Sequence, residues 1–559
     1  MWLNKAERLR HEAISPGKNT ARLSMTSRLD LPSLTAVMLL TVFYAVVALA
    51  IYAPGLEGPM QYDSEGLIAD NEAIFSKGSP LAVIGIFPQR PLAMITYYLN
   101  YRLGGMEPAC FRLVNVVLLA CLASIVAVLI KLILDGAPEG WDGTRVSKNF
   151  TAASLGLLFL VHPLNVFSTM YIWQRMNLLA SLFSCASIAV YLAIRWNGFP
   201  GKIVGYGLCF ALFLLGLLSK ETAIVVPALI VLVEVAFVKP PWRSLAARVC
   251  VIFLIVLPTL WAVSWLQHPH GRPELGSGVL ATASRYYSEA GLTFSEVLMT
   301  QSRAMFSALA AIVAPVPSEV LLFRPLVLSR SLFSPPTTLP AVIGVVGLVG
   351  LGLWLLVKLP TFGFGILWFL VSITPEALLV PQYPYLGYRY LLPMTGLFLC
   401  AAVGVAALLT SVTRSRFSVG LSLGIATLIF LLVCVATTIA ASKAALWKDP
   451  VSFWEEHVVN IPRSGDIDRF SAAQALNNLA HCQIRYGGSQ VDALHHLQRA
   501  SELNPRSWTI YYNMGRAHWR LENYTEAIRL YRKALEINPK SALVRSALEE
   551  AENRSKSGE

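Results

Sequence analysis

The chain has 559 residues, of which 55% are hydrophobic and 14% charged, and its net charge is +12. Roughly 25% of an ordinary soluble domain is charged, and a soluble chain this long would divide into domains that each need a polar surface. Here the apolar residues come in long blocks, which excludes that class and indicates a polytopic membrane protein. Nor does the positive charge mark a nucleic-acid binder, because no basic cluster is interleaved with aromatics. Lys and Arg instead collect in segments suited to loops retained in the cytoplasm. Of the eight cysteines, Cys121, Cys185, Cys209, Cys250, Cys400 and Cys434 fall inside apolar blocks, where the thiol behaves as a small hydrophobe. Without CxxC or Cys/His ligand spacing, neither a zinc site nor a disulfide framework is expected.

Residues 1–33 are polar and basic, with Lys5, Arg8, Arg10, Lys18, Arg22 and Arg28. The first apolar run begins too late for an ordinary cleaved signal peptide, so it is read as a signal anchor with its N-terminus inside. Candidate spans follow near 34–53, 111–133, 150–163, 177–194, 203–219, 222–238, 249–266, 339–357, 361–379, 394–410 and 419–440, about eleven in all. Each is about long enough for a ~30 Å hydrocarbon layer, although the third is short and meets a break at His162-Pro163. Residues 304–324 are apolar but interrupted by Pro315 and Pro317, which suits a re-entrant or surface-lying segment better than a span. Arg145, Lys148, Arg195, Lys202, Lys239, Arg243, Arg248, Lys358, Arg414 and Arg416 fall in the inside loops. The outside turns hold only Arg175, Lys220 and Arg389, as the positive-inside rule requires. This topology puts residues 54–110 in a first large external loop and the C-terminal region on the same side.

That loop contains "QYDSEGLIADN", Gln61 to Asn71, with Asp63, Glu65 and Asp70 beside the membrane. Three outer turns carry cations: Arg175 in "YIWQRMNLL", Lys220 with Glu221 in "LLSKETAIV", and Arg389 in "YLGYRYLLP". A charge near the bilayer centre costs about 2.5–3.5 kcal/mol on insertion scales, so such groups face a cavity or a partner. If these turns converge, the cations suit a phosphate arriving on a lipid. Blander readings stand beside this one. Arg175 and Arg389 can snorkel to headgroups, Lys220 and Glu221 can pair with each other, and Asp63 and Glu65 can cap a helix. His162 before Pro163 suits a helix-end hydrogen-bonder.

After about residue 443 the composition becomes that of a soluble helical domain. "ASELNP" returns as "ALEINP", with Pro505 and Pro539 34 residues apart, which is the tetratricopeptide period. The second unit carries Trp508, Tyr511, Met514, Gly515, Ala527, Tyr531, Ala534 and Pro539; the first fits less fully. The expected architecture is therefore all-α: a membrane domain over 34–442, a linker and degenerate repeat helix over 443–470, a soluble α-solenoid over 471–548 and a polar tail over 549–559. Such units bury their apolar faces only by stacking. Tyr511, Tyr512 and Asn513 are the residues expected to meet an acceptor or partner protein.

The ordered motifs "YDSEGLIADN", "RPLAMITYYLNYRLGG", "HPLNVFSTMYIWQRMNLLASLF", "LLSKETAIVVPALI", "LWFLVSITPEALL" and "YRYLLPMTG", joined to repeats, resemble the GT-C fold of integral-membrane glycosyltransferases. Within that fold the chain is similar to the TMTC-type (transmembrane and tetratricopeptide-repeat) protein O-mannosyltransferases and bacterial relatives. One departure is clear: the family's Glu-His-Arg-x-Tyr-Leu-Pro motif reads Gly387-Tyr388-Arg389-Tyr390-Leu391-Leu392-Pro393 here. The resemblance implies inverting transfer of mannose or a similar hexose from a polyprenyl-phosphate donor to a protein hydroxyl. Asp63 would be the general base, with Glu65 orienting the acceptor or holding a divalent metal, Mg or Mn, together with Asp63. Arg175, Lys220, Arg389 and, more weakly, Arg90 would bind the donor phosphate, with His162, Glu221 and Gln174 in support. It also implies a bacterial inner membrane with periplasmic repeats, or an ER membrane with lumenal repeats in a eukaryote. Two other classes fit the same features: a non-catalytic membrane scaffold that recruits partners through its repeats, and a ligase or polymerase of lipid-linked glycans.

Overall fold

The computed structural model describes residues 33–136, 145–196, 201–267, 291–378, 383–413, 418–462 and 466–557. The basic segment 1–32, together with Arg414 and Arg416, lies outside the described residues. The described residues are helical, joined by loops and isolated bridges such as Phe323–Leu386. The membrane domain begins with α1 (Leu34–Tyr52) and the first-loop helices α2 (Asp63–Leu67), α3 (Glu72–Lys77), α4 (Pro80–Ile86) and α5 (Pro91–Gly104). It continues through α6 (Pro108–Gly136), α7 (Arg145–Leu160), α8 (Asn165–Thr169), α9 (Arg175–Arg195), α10 (Lys202–Ser219), α11 (Val226–Val233) and α12 (Trp242–Gln267). Its later helices are α13 (Phe294–Val313), α14 (Thr338–Lys358), α15 (Pro360–Leu378), α16 (Leu391–Thr413) and α17 (Ser418–Ala445). The linker helix α18 (Pro450–Val459) then leads to α19 (Arg469–Tyr486), α20 (Gln490–Leu503), α21 (Trp508–Arg520), α22 (Tyr524–Ile537) and α23 (Ala542–Ser557).

Among the described residues, ten helices are long and apolar enough to cross a membrane. The third expected span, α7, has 16 residues, about 24 Å of helix at 1.5 Å per residue. It lies antiparallel to the 29-residue α6 and covers only part of it. Lys148 at its start pairs with Asp135 at the end of α6 (3.6 Å), and Arg112 near the start of α6 bonds Met170 O (3.0 Å), beyond the end of α7. The eleven expected spans are thus ten full-length helices and one short one. The lipid-facing flanks of the outer spans stay apolar; Phe253, Leu254, Ile343 and Val346 are exposed.

As expected of a segment interrupted by Pro315 and Pro317, residues 304–324 form no clean span. Their first part ends α13 at Val313, and the rest is an extended strap whose Val320, Leu321, Leu322 and Phe323 are buried. Pro315 and Pro317 end the helix because their nitrogens carry no donor. The strap instead finds its hydrogen bonds in other segments. Gly387 N donates to Leu322 O (3.0 Å), and Leu328 N to Asp466 O (2.6 Å). Leu322 N donates to His457 Nε2 (2.9 Å). Burial pushes His457 down to about 4, so the ring is neutral at pH 7 and its Nδ1 donates to Phe453 O (2.7 Å). The strap therefore joins the membrane domain, the linker helix and the repeats on one face of the helical array.

Candidate active site

The first loop is held by the membrane domain before it reaches its acids. Arg112 on α6 is buried and gives its guanidinium to Leu56 O (2.8 Å), Pro59 O (2.7 Å) and Gly58 O. Gln61 Nε2 donates to Trp447 O (3.2 Å). Tyr62 then takes φ 56° and ψ −134°, a conformation that bulky residues rarely adopt and that persists only where the surroundings over-determine it. Its ring is fixed among Tyr171 (5.7 Å), Phe323 (5.4 Å) and Trp454 (6.2 Å).

Strain at Tyr62 aims Asp63, the first residue of α2, at the turn before α9. There the Tyr171 hydroxyl donates to Asp63 Oδ2 (2.7 Å). Burial pushes the Asp63 carboxyl above the usual carboxylate range, against the opposing pull of the Tyr171 hydroxyl and the Arg90 charge. Ser64 Oγ accepts from Trp173 N (3.1 Å), which fixes α2 on the same turn.

Lys220 and Arg389 meet on a residue that was not among the expected site groups. Glu376, near the end of α15, accepts from Lys220 Nζ with one oxygen and forms an ion pair with Arg389 through the other, 2.9 Å from its Nε. All three side chains are buried. Lys220 also donates to Asn177 Oδ1 (3.2 Å) and lies 5.3 Å from the centre of the Tyr388 ring. Tyr388 in turn stands 6.3 Å from Tyr171. Asp63 and the Lys220–Glu376–Arg389 cluster therefore flank one pair of tyrosines. The signal in the sequence was an acid beside Pro375 at the edge of an apolar block.

Arg90 joins this region by a bidentate pair with Glu221, Nη2–Oε1 2.7 Å and Nε–Oε2 3.0 Å. Glu221 does not pair with its neighbour Lys220, because the chain turns between them and α15 supplies Lys220 with Glu376. On the lipid side, the turn before α11 and the end of α15 enclose an apolar groove of about 350 Å³. Ile224, Val225, Ala228, Val371, Pro375 and Leu378 line it.

Other expected site residues serve elsewhere. Arg175 is wholly buried, with its guanidinium bonded to Asn115 Oδ1 (2.9 Å), Thr96 O (3.0 Å), Asn100 Oδ1 (2.6 Å) and Phe111 O (2.9 Å). It stacks 4.7 Å from the Tyr97 ring. These contacts occupy four of its five N–H donors, so it braces α5 and α6 against α9. His162 is buried against Ile312 O (2.9 Å) and acts as the helix-end bonder of the blander reading. Gln174 is buried with Oε1 unpartnered among the described residues.

Glu65 is also engaged. It accepts from Arg485 and from His481 Nε2 (3.2 Å), both on α19 of the repeats. Among the described residues no three His, Cys, Asp or Glu side chains cluster to hold a metal. With Glu65 paired to α19, Asp63 and Glu65 do not fit a metal cradle. Tyr512 and Asn513 line a cleft that Asp63 and Glu65 also line. Tyr511 is buried in the apolar cluster between α21, α22 and α23, because adjacent helical residues point about 100° apart.

The family departure at Gly387 has a steric cause. A Cβ there would stand 2.6 Å from Phe167 Cδ2 and 2.7 Å from Leu321 O, so a glutamate side chain has no room. Glu376 places a carboxylate beside Arg389 from a different helix.

Comparison with known proteins agrees with this architecture. A tetratricopeptide repeat is matched at residues 508–541. The chain is 29% identical over 148 residues to protein O-mannosyl-transferase TMTC3 of Homo sapiens, covering 26% of this chain and 14% of that protein. It is 31% identical over 175 residues to protein O-mannosyl-transferase Tmtc1 of Drosophila melanogaster, covering 31% and 18%. To protein O-mannosyl-transferase TMTC1 of Homo sapiens it is 29% identical over 198 residues, covering 31% and 21%. The chain thus spans between 14% and 21% of the length of these relatives. No solved structure matches it. With ten full-length apolar helices and a joined repeat domain, the chain is a multi-pass membrane protein similar to the TMTC-type protein O-mannosyl-transferases.

Proposed function

We propose that the protein transfers a hexose, mannose or a close relative, from a polyprenyl-phosphate donor to a protein hydroxyl, with inversion. The observation that carries this reading is the placement of Asp63 and the Lys220–Glu376–Arg389 cluster on two sides of Tyr171 and Tyr388. The apolar groove, lined by Pro375 next to Glu376, suits a prenyl tail whose phosphate would reach Lys220 and Arg389. Two cations on one carboxylate leave the cluster net positive. It is therefore set to stabilise a phosphate that gains negative charge as it leaves.

In the transfer, the acceptor oxygen forms a bond to the anomeric carbon. The bond between that carbon and the phosphate oxygen breaks, and the electron pair leaves with the lipid phosphate. Asp63 takes the acceptor proton. Its raised pKa makes it a stronger base than an exposed aspartate, which brings it nearer the match that general base catalysis favours. Tyr171 holds the carboxylate in position. Arg90, tied to Glu221, adds a charge-balanced wall, and Glu65 docks the repeats.

The test is a transfer assay on membranes containing the protein, with a polyprenyl-phosphate hexose donor and mass spectrometry of the product. Asp63→Asn is expected to abolish product while insertion and folding persist. Full activity in that variant removes Asp63 from the chemistry. A glycan or lipid as the modified product, in place of a polypeptide, replaces this reading with the lipid-linked-glycan ligase.

A further inference from the structure

A second cleft, of about 630 Å³, shares no lining residue with the one at Asp63. Thr300 on α13 and Leu328 and Arg330 on the strap line it from the membrane domain; Arg469, Asn504 and Arg506 line it from the repeats. The membrane-domain wall stands where α14 enters the apolar layer. Ser329, between Leu328 and Arg330, donates its N–H to Thr300 Oγ1 (2.9 Å), and its hydroxyl lies 2.9 Å from that of Thr338, the first residue of α14. Phe333, just before α14, is 73% exposed, the setting of an aromatic anchor at a membrane interface. The cleft therefore sits at headgroup depth. Its charges are unequally answered. Arg330 is paired with Asp466 (2.6 Å) and Glu296 (3.4 Å). Asp468 is buried as the N-cap of α19, where it accepts from Phe470 N (3.2 Å) and Ser471 N (3.3 Å). Arg469 and Arg506 are exposed and have no ion-pair partner among the described residues. One opens α19 and the other lies in the turn between α20 and α21, so two separate parts of the repeats bring a cation to the same cleft.

We propose that this cleft takes the phosphodiester headgroup of an anionic membrane lipid and thereby moors the repeats to the membrane surface. Guanidinium groups hold phosphate oxygens through paired N–H donors, and the two arginines without a counter-ion are the ones that face the cleft from the repeats. Asn504 adds a carboxamide, which can donate to or accept from the hydroxyls of a glycerol headgroup. Asp466 does not repel the phosphate, because Arg330 already answers it. A volume of this size falls in the range of about 300–1,000 Å³ found for small-ligand sites. A lipid is favoured over a soluble phosphate because the wall joins a membrane span directly through Ser329 and Thr338, and anionic headgroups draw basic side chains to that depth. The lipid bridges the strap and the repeats at a point remote in sequence from the Glu65–Arg485 contact, so the repeats are held to the membrane domain at two places.

The test uses the full-length protein in two kinds of nanodisc, phosphatidylcholine alone and phosphatidylcholine with phosphatidylglycerol. Amide hydrogen exchange is read at residues 466–470 and 503–508. Exchange there is expected to slow roughly ten- to thirtyfold in the anionic discs, the effect of two arginines at an anionic surface. Arg469→Gln with Arg506→Gln is expected to remove the difference between the discs. Arg499→Gln with Arg520→Gln, an equal loss of exposed charge elsewhere on the repeats, is expected to keep it. Arg506→Gln alone is expected to reduce the difference about fivefold, which preserves the test if the double variant folds poorly. Equal exchange in the two discs, loss of the difference in both double variants, or the same slowing in phosphatidylcholine discs on addition of soluble glycerol phosphate overturns the proposal. No sugar donor is present, so the result stands apart from the transferase reading.

Discussion

Tyr171 donates its hydroxyl hydrogen to Asp63 Oδ2 at 2.7 Å, joining residues 108 positions apart in the chain. The bond favours the charged form of Asp63, while burial favours the neutral one, and burial is the larger effect. The sign follows directly. An aspartate whose pKa is raised becomes a competent base only at higher pH, so the acid limb of transfer activity lies above the ~3.9 of an unperturbed Asp. Tyr171→Phe removes the opposing hydrogen bond and is expected to move that limb to still higher pH, with the plateau reduced. A pH–rate profile of wild type and variant reads this; an unshifted limb removes Tyr171 from control of Asp63.

The cluster at Glu376 makes an asymmetric prediction. Glu376 is the shared counter-charge of Lys220 and Arg389, so Glu376→Gln leaves two buried cations facing each other without it. Breaking a buried pair in this way costs about 3–5 kcal/mol. Lys220→Met leaves Glu376 still paired with Arg389 and is expected to cost less stability. Thermal unfolding in detergent ranks the two, and a Lys220→Met protein less stable than Glu376→Gln contradicts the charge balance.

Gly387 predicts the outcome of restoring the family residue. Gly387→Glu is expected to lower stability and activity together, since even its Cβ meets Phe167 and Leu321 O. Gly387→Ala isolates the steric part, at about the 1–3 kcal/mol typical of overpacking. Expression and melting temperature of the two variants measure it; a Gly387→Glu protein with wild-type stability shows that the strap moves aside.

For Glu65 the expectation separates docking from chemistry. Its partner Arg485 is 43% exposed at the side chain, so solvent screens the pair and its coupling energy is expected near 1 kcal/mol or below. Glu65→Gln is expected to raise the acceptor KM several-fold and to leave kcat nearly unchanged. Hydrogen exchange in α19 should quicken in Glu65→Ala and Arg485→Ala alike, without adding in the double variant. A loss of kcat by orders of magnitude in Glu65→Gln places it among the catalytic groups instead.

Much of this architecture was legible in the residue order. Unbroken apolar blocks marked the spans, and the third, short in the sequence, is the 16-residue α7. The 34-residue spacing of Pro505 and Pro539 marked the repeats. Asp63, Lys220 and Arg389 stood out because charges next to a bilayer need a partner. Arg175 satisfied the same rule and proved to be a brace, since the rule says only that a partner exists. The partners of Glu65 lie more than four hundred residues away, with Arg485 420 positions on, and no local pattern links them.

The sequence by itself determined which segments enter the membrane, which form repeats and which charges need an answer. Those properties follow from hydropathy and period, and both are sums over neighbouring residues. Only the tertiary structure decided that Glu376 answers two cations, that Glu65 answers the repeats and that Gly387 must stay small. Each of these depends on which side chains meet across helices, and that is set by packing between segments whose separation along the chain carries no information about their distance in space.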